Sequence, residues 1–161
     1  MTELEIRPYR PGDETAILET FNTVFREVCG EGYVDRDLET WRWEFEANPQ
    51  GHRIILAVTS DGRVAAQYAA VPMAAHTPVG DSSFVHAVDS MVHPDFRQGL
   101  KKPGLFVETG RAWFEHIRQL GIESMGFGYP VRPAWRIGSR FLGYTLVRVL
   151  DYLVAPLGDL D

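Results

Sequence analysis

Residues 88–106 read Val88-Asp89-Ser90-Met91-Val92-His93-Pro94-Asp95-Phe96-Arg97-Gln98-Gly99-Leu100-Lys101-Lys102-Pro103-Gly104-Leu105-Phe106. Apolar residues before His93-Pro94 predict the end of a β-strand, and the apolar spacing after Gly104 predicts a helix. Three cations, Arg97, Lys101 and Lys102, lie between them. A helix N-terminus favours anions, and glycines let the backbone approach a bulky phosphate. This segment therefore predicts a phosphate-binding loop, with a basic loop that merely faces solvent as the alternative.

Outward from this loop, periodicity predicts alternating strands and helices along the whole chain. We expect strands at 4–7, 54–58, 64–75, 83–92, 122–129 and 144–155, and helices at 13–25, 37–48, 104–119 and 133–142. The Asp61-Gly62 pair predicts a hairpin, because Asp-Gly suits positive φ. The order β-α-α-β-β-β-α-β-α-β is typical of a mixed α/β (α+β) domain containing a strand–loop–helix crossover.

Size and composition favour one domain spanning residues 1–161, because a chain of this length with 45% hydrophobic residues builds one sizeable core. The net charge of −6 argues against a nucleic-acid partner. Cys29 is the only cysteine, which fits a reducing compartment. The first residues show no signal peptide and no apolar run approaches a membrane span, so we expect a cytoplasmic protein without a membrane partner.

Two features of the sequence resemble the GNAT superfamily of acyl-CoA-dependent N-acetyltransferases. The segment Val92-His93-Pro94-Asp95-Phe96-Arg97, followed by glycines and a helix, resembles that family's signature motif. The element order is similar too, with 126–130 as the fifth strand and 141–144 as the end of the last helix. The resemblance implies a GNAT-type acyltransferase fold, in which helices flank a central, mostly antiparallel sheet with splayed strands.

The same resemblance implies a site for acetyl-CoA as co-substrate. The pantetheine arm is expected near Met91 and Val92. The phosphate contacts are expected on a larger set of residues: Arg97, Gln98, Gly99, Lys101, Lys102, Gly104, Leu105 and Phe106. No metal is expected, because the histidines show no zinc-type spacing.

Three departures from the family pattern bear on activity and assembly. Residues 101–106 fit the usual phosphate loop only loosely, with Lys first and Phe last. The catalytic Tyr that many members place on the last helix falls here on Gly138 or Ser139. The predicted final strand at 144–155 has no following hairpin partner, and exposed strand edges are usually covered or paired. We therefore expect a homodimer with 146–155 near the contact.

Acyl transfer to an amine needs a base near the acceptor and an acid near the leaving sulfur. Strand alternation places His86 and Asp89 on opposite faces. Asp89 is slightly favoured as the base, because a carboxylate in an apolar strand costs free energy unless it is paired or used. A structural role for Asp89 and a packing role for His86 remain open. Tyr129, after the fifth strand, is the best remaining donor to a thiolate, unless it only packs in the core.

These observations predict an N-acyltransferase that moves an acetyl or short acyl group from acetyl-CoA to a primary amine of an unidentified acceptor. The missing tyrosine and the loose loop favour an alternative, a catalytically silent GNAT-like domain that binds acyl-CoA as a sensor or scaffold. A protein-interaction module without cofactor is the third possibility, and it predicts no coenzyme A binding.

Overall fold

A computed structural model of the protein describes residues 3–97 and 104–150. The elements follow the predicted order through the last helix. They are β1 (Leu4–Pro8), α1 (Glu14–Cys29), α2 (Leu38–Glu44), β2 (Arg53–Thr59), β3 (Val64–Thr77), β4 (Gly80–Val92), α3 (Leu105–Leu120), β5 (Glu123–Gly128) and α4 (Arg132–Phe141). Within the two described ranges, no helix combines the length and the apolar character needed to cross a bilayer.

The five strands form one sheet in the order β1-β2-β3-β4-β5. The first four are antiparallel neighbours, and β5 runs parallel to β4 after the crossover through α3. The β2–β3 hairpin turns at Asp61-Gly62 as predicted, with a φ of 86° at Gly62, where a side chain would be disfavoured. The mixed α/β class predicted from the sequence is confirmed.

Helices α1 and α2 cover one face of the sheet. Ile17, Phe21, Trp41 and Phe45 from this layer are almost fully buried against β2 and β3. Asp37 caps α2, because its carboxylate accepts a hydrogen bond of 2.7 Å from the Thr40 N–H. The helix ends at Glu44, earlier than the predicted Asn48-Pro49, since the Ala47 N–H bonds to Arg42 O across a wider turn.

Helix α3 covers the opposite face of the sheet. Trp113 is buried there beside Ile55 and Tyr68, and its indole N–H donates to Arg53 O at 3.0 Å. Helix α4 lies beside α3, where the Leu142 side chain would be 2.8 Å from a Cβ placed on Gly110. Gly110 therefore permits the close approach of the two helical segments.

The predicted strand at 144–155 is wrong over its described part, since residues 144–150 form no strand. Tyr144 instead turns back onto α4: its N–H donates to Gly138 O at 3.2 Å, and its ring packs near Trp135. A strand needs a neighbouring edge for its backbone groups, and this turn directs Tyr144 to a helix. Residues 151–155 of the prediction lie outside the described residues.

Candidate functional site

A free strand edge opens where β4 and β5, the last two strands in the sheet order, stop pairing. The parallel pairing extends from Ser83 and Glu123 to Ala87 and Gly128. At its end the strands are tightly apposed, because a Cβ on Gly128 would lie 3.2 Å from Ala87 O. Strand β4 then continues to Val92, paired with β3 alone. Within the described ranges, the β5-facing backbone edge of residues 88–92 is therefore left for another partner.

A β-bulge interrupts β4 at the start of this free edge. Ala69 pairs with Val88 and Gln67 pairs with Met91, so the register shifts by one residue between them. Asp89 lies in the bulge with φ of 50°. It is the only residue other than glycine with a positive φ in the part of the chain that the structure describes. Such a conformation is uncommon outside glycine, although Asp and Asn tolerate it best.

The bulge overturns the expectation that His86 and Asp89 point to opposite faces. His86 pairs with Val71, which packs in the core under α1 and α2, and paired residues share a face. The Asp89 carboxylate binds Arg36, whose guanidinium carbon is 3.9 Å from the centroid of the Phe21 ring in that same core. Both candidate bases therefore lie on the α1–α2 face, because the extra residue reverses the alternation of the strand.

The Asp89 carboxylate is largely buried and ion-paired. Arg36 contacts both of its oxygens, one of them at 3.5 Å, and also contacts the Glu44 carboxylate at 3.1 Å. Burial raises the pKa of Asp89, while the charge and hydrogen bonds of Arg36 act in the opposite direction. Burial also raises the pKa of Glu44, with the Asp89 charge adding to the effect. Two carboxylates thus share one arginine under α1 and α2.

His86 lies in a small aromatic cluster on the same face. Its ring stacks on Phe127 of β5 at a centroid distance of 4.8 Å, with the planes 4° apart. The Tyr129 ring meets His86 edge-on at 5.5 Å. Burial lowers the pKa of His86 below its ordinary value, so the neutral imidazole is favoured around pH 7. A neutral, partly accessible imidazole is able to accept a proton from an acceptor amine.

Tyr129 follows β5 directly and is 67% exposed. Its contacts with His86 and Phe127 place it at the mouth of the gap between β4 and β5. The two sequence-predicted side chains His86 and Tyr129 are thus brought together, and Asp89 lies on the same face of the sheet.

The usual tyrosine position on the last helix has no hydroxyl suited to proton donation. The Tyr144 ring lies against Gly138 so closely that a Cβ there would overlap it. Ser139 is exposed and donates its hydroxyl to Arg136 O within the helix. The Tyr144 hydroxyl meets the Tyr68 hydroxyl above the α3-side core, and burial raises the pKa of both phenols. Sequence reasoning missed this tyrosine pair because it assigned Tyr144 to a strand.

The N-terminus of α3 adjoins the far end of the free edge. Gly104 occupies the cap position with extended backbone, and no side chain of the described residues caps the helix. Leu105 is buried beside Val92, and the Phe106 ring lies 5.8 Å from that of Tyr68. The first N–H groups of a helix have no partner within it, so they are suited to bind an anion.

Four of the predicted phosphate contacts, Arg97, Gly104, Leu105 and Phe106, lie within the described residues. Arg97 donates to Val92 O at 3.1 Å and forms an ion pair with Glu27 of α1 at 2.8 Å, so its guanidinium is already engaged. Met91 is buried in the core under α1, where its backbone continues the β3 pairing. The other predicted contacts, Gln98, Gly99, Lys101 and Lys102, lie outside the described residues.

Sequence reasoning missed Arg36 and Gln67, which bind Asp89, and Glu44, which binds Arg36. Arg36 precedes α2 in a loop, Glu44 is the last residue of α2 and Gln67 belongs to β3. Gln67 in a run of apolar strand residues was the one available signal, since a buried amide needs partners. No group of three metal-binding side chains is found in the described ranges.

Comparison with family models and with curated proteins finds no match for the sequence. Solved structures do match. Glucosamine-6-phosphate N-acetyltransferase from Arabidopsis thaliana superposes with a TM-score of 0.68 at 13% identity, covering 94% of this chain and 98% of that one. An acetyltransferase from Trypanosoma brucei gives 0.66 at 17% identity, covering 95% and 100%.

A third similar structure is an aminoglycoside acetyltransferase from an uncultured soil metagenomic sample in complex with sisomicin. It gives a TM-score of 0.69 at 11% identity, covering 95% of this chain and 96% of that one. A GNAT family acetyltransferase from Staphylococcus aureus is similar over 98% of this chain and all of its own, with a TM-score of 0.62 at 13% identity. With the five-stranded sheet and its opening beside β4, these likenesses show that the chain has the fold of the GNAT acetyltransferases.

Proposed function

We propose that the protein is an N-acyltransferase that transfers an acetyl or short acyl group from acetyl-CoA to a primary amine. The observation that carries this proposal is the free edge of β4 at 88–92, which leads from His86 to the N-terminus of α3 in a chain of GNAT fold. An extended amide-bearing arm fits such an edge, because it can complete the backbone hydrogen bonds that β5 does not.

The described residues fit coenzyme A at both ends of this edge. Backbone groups around Met91 and Val92 would pair with the pantetheine amides. The uncapped N–H groups of Leu105 and Phe106 would bind phosphate, helped by the charges of Lys101 and Lys102. Counting residues 3–97 and 104–150, a Cβ on Gly104 would have no neighbour within 4 Å, so this part of the fold leaves space for a bulky group at the cap.

His86 and Tyr129 are assigned to the two proton transfers. His86 takes a proton from the acceptor amine as the amine nitrogen forms a bond to the thioester carbonyl carbon. The bond from that carbon to sulfur then breaks, and the Tyr129 hydroxyl gives a proton to the departing thiolate. The low pKa of His86 and its contact with Tyr129 support this assignment.

The catalytically silent acyl-CoA sensor or scaffold remains the second candidate. One observation favours it: Gly138 is covered by the Tyr144 ring, so the last helix offers no acid. Turnover with a panel of amines distinguishes the two. Aminosugars belong in this panel, because two similar structures carry names that refer to glucosamine-6-phosphate and aminoglycosides. Acetyl-CoA binding without any turnover would favour the sensor.

We expect the double substitution Lys101→Ala with Lys102→Ala to weaken coenzyme A binding about tenfold in low salt, because each charge contributes to phosphate attraction. The difference from wild type should shrink as salt screens the charges. Calorimetry at two ionic strengths measures both effects. Unchanged affinity would place the phosphates elsewhere, and Arg10→Ala, which removes an exposed cation paired with Glu5, serves as the charge control.

We also propose a homodimer in which 146–155 lies near the contact. Val147 and Val149 are 92% and 74% exposed, and a cluster of exposed apolar side chains favours association. Light scattering at tens of micromolar should give twice the monomer mass. Val149→Lys should lower the dimer fraction, because it would bury an unpaired charge. A strictly monomeric mass for the wild type would exclude this dimer.

A further inference from the structure

The left-handed residue Asp89 is held by side chains from two other parts of the chain. Gln67 donates its side-chain N–H to Asp89 O at 3.0 Å from the neighbouring strand, and only 1% of Gln67 is exposed. Arg36 binds the Asp89 carboxylate from the loop before α2. The two contacts hold different groups of Asp89: Gln67 binds its backbone carbonyl, and Arg36 binds its carboxylate.

Arg36 is itself held in place. Its guanidinium stacks over Phe21 of α1 at 3.9 Å and pairs with Glu44 of α2 at 3.1 Å. The arginine therefore connects the bulge to both helices on this face. A planar guanidinium that stacks and binds carboxylates at once has little freedom to move.

This arrangement is poorly suited to proton abstraction by Asp89. Both carboxylate oxygens face Arg36, and the side chain is 11% exposed. A proton taken from an amine would neutralise the carboxylate and remove most of its attraction to Arg36, leaving that buried cation with Glu44 as its ion-pair partner. His86 on the same face has no such constraint.

The arrangement is well suited to shaping the strand. The bulge at Asp89 lies at the point where pairing with β5 has ended, so its geometry directs the backbone groups of the following residues. If Asp89 relaxed to an ordinary extended conformation, the backbone N–H and C=O groups of the residues after it would point the other way. Successive strand residues alternate in direction, so removing the bulge reverses those that follow.

We infer that Asp89 is a positioning residue, whose left-handed backbone, held by Arg36 and Gln67, aims the free edge of β4 at the pantetheine arm of the acyl donor. This inference rests on the proposed function, since it assigns a role within the same cofactor site. It gives Asp89 a role different from the base that the sequence favoured.

A matched pair of substitutions tests the inference. Asp89→Asn and Asp89→Val both remove the charge at similar size, but Asn tolerates positive φ and Val does not. We expect Asp89→Asn to bind acetyl-CoA within about threefold of wild type and Asp89→Val to bind about tenfold more weakly. Asp89→Gly, which favours positive φ without any side chain, should bind like Asp89→Asn.

Turnover measurements distinguish a positioning role of Asp89 from a role as the base. If Asp89 were the base, Asp89→Asn and Asp89→Gly would lose kcat by about 100-fold or more with little change in acetyl-CoA affinity. We expect instead that any fall in kcat stays well below about 100-fold and that both variants keep the pH profile of the wild type, because the base is unchanged. Equal weakening of acetyl-CoA binding in Asn, Gly and Val variants would also overturn the inference, because backbone conformation would then be irrelevant.

Stability separates failure of this inference from failure of the proposed function. Denaturant unfolding without ligand should rank the Asn and Gly variants above the Val variant, since only Val is strained at φ of 50°. Gln67→Met, which removes the hydrogen bond to Asp89 O, should weaken acetyl-CoA binding without altering the pH profile. If wild type fails to bind acetyl-CoA, the proposed function is wrong, while an inverted stability ranking would refute the backbone role itself.

Discussion

His86→Gln is expected to lower kcat by about 100-fold or more while leaving the Kd for acetyl-CoA within about threefold of wild type. Glutamine keeps a polar side chain of similar size, but it cannot accept the proton of an amine. The His86 ring contacts Phe127 and Tyr129 rather than the free edge beyond residue 88, so cofactor binding should be spared. Steady-state kinetics with an amine that the wild type accepts measures the change.

The pH dependence of kcat/KM should show which protonation state of His86 is active. Burial lowers the pKa of His86 from an ordinary value of about 6.5. The reactive neutral form is therefore present at pH 7, and kcat/KM should fall only as the pH drops through this lowered pKa. In His86→Gln the acidic limb should disappear. His76→Gln provides the control, because His76 lies on the exposed β3–β4 hairpin.

A wild-type acidic limb that persists in His86→Gln would assign the base elsewhere. Glu44 would then be the next residue to test, since burial raises its pKa and it adjoins the same face of the sheet. A normal kcat in His86→Gln would instead assign the ring to packing against Phe127.

Gly104→Val is expected to abolish measurable coenzyme A binding while changing the melting temperature little. Gly104 has φ of −79° and ψ of 175°, which any residue adopts, and among the described residues a Cβ there would meet no atom within 4 Å beyond its chain neighbours. The described part of the fold therefore has room for the new side chain. The same room is the proposed path of the phosphates, and a β-branched group at the helix start would fill it.

Calorimetry and thermal unfolding together measure the Gly104 effect. Gly104→Ala serves as the graded control, and its smaller side chain should weaken binding by about tenfold or less. Retained binding in Gly104→Val together with a collapsed melting temperature would show that the glycine is structural. Retained binding at a normal melting temperature would place the phosphates away from α3.

Local sequence patterns determined most of the secondary structure. The Asp61-Gly62 turn, the start of α2 beside Asp37 and the crossover of β4, α3 and β5 all lie where short-range signals predicted them. Backbone preferences and apolar periodicity act over a few residues, so the printed sequence displays them directly. The resemblance of residues 92–97 to a family motif likewise depends only on residues that are neighbours in sequence.

Prediction failed where the conformation depends on which backbone or side-chain partner a residue finds in the folded chain. The predicted strand after α4 was inferred from alternation alone, but a strand also needs an edge, and Tyr144 bonds to Gly138 instead. Likewise, the alternation of β4 was expected to continue through Asp89. No local pattern shows whether a backbone group will find its partner in a neighbouring strand or in a helix.

The sequence by itself therefore determined the element order through the last helix, the β2–β3 turn and the strand–loop–helix segment that carries the candidate phosphate site. Only the tertiary structure decided that His86 and Asp89 share a face and that Asp89 is bound by Arg36, 53 residues away in sequence. The physical reason is that a bulge is stabilised by contacts across the fold. Gln67 and Arg36 reach Asp89 only after β3, α1 and α2 have packed together.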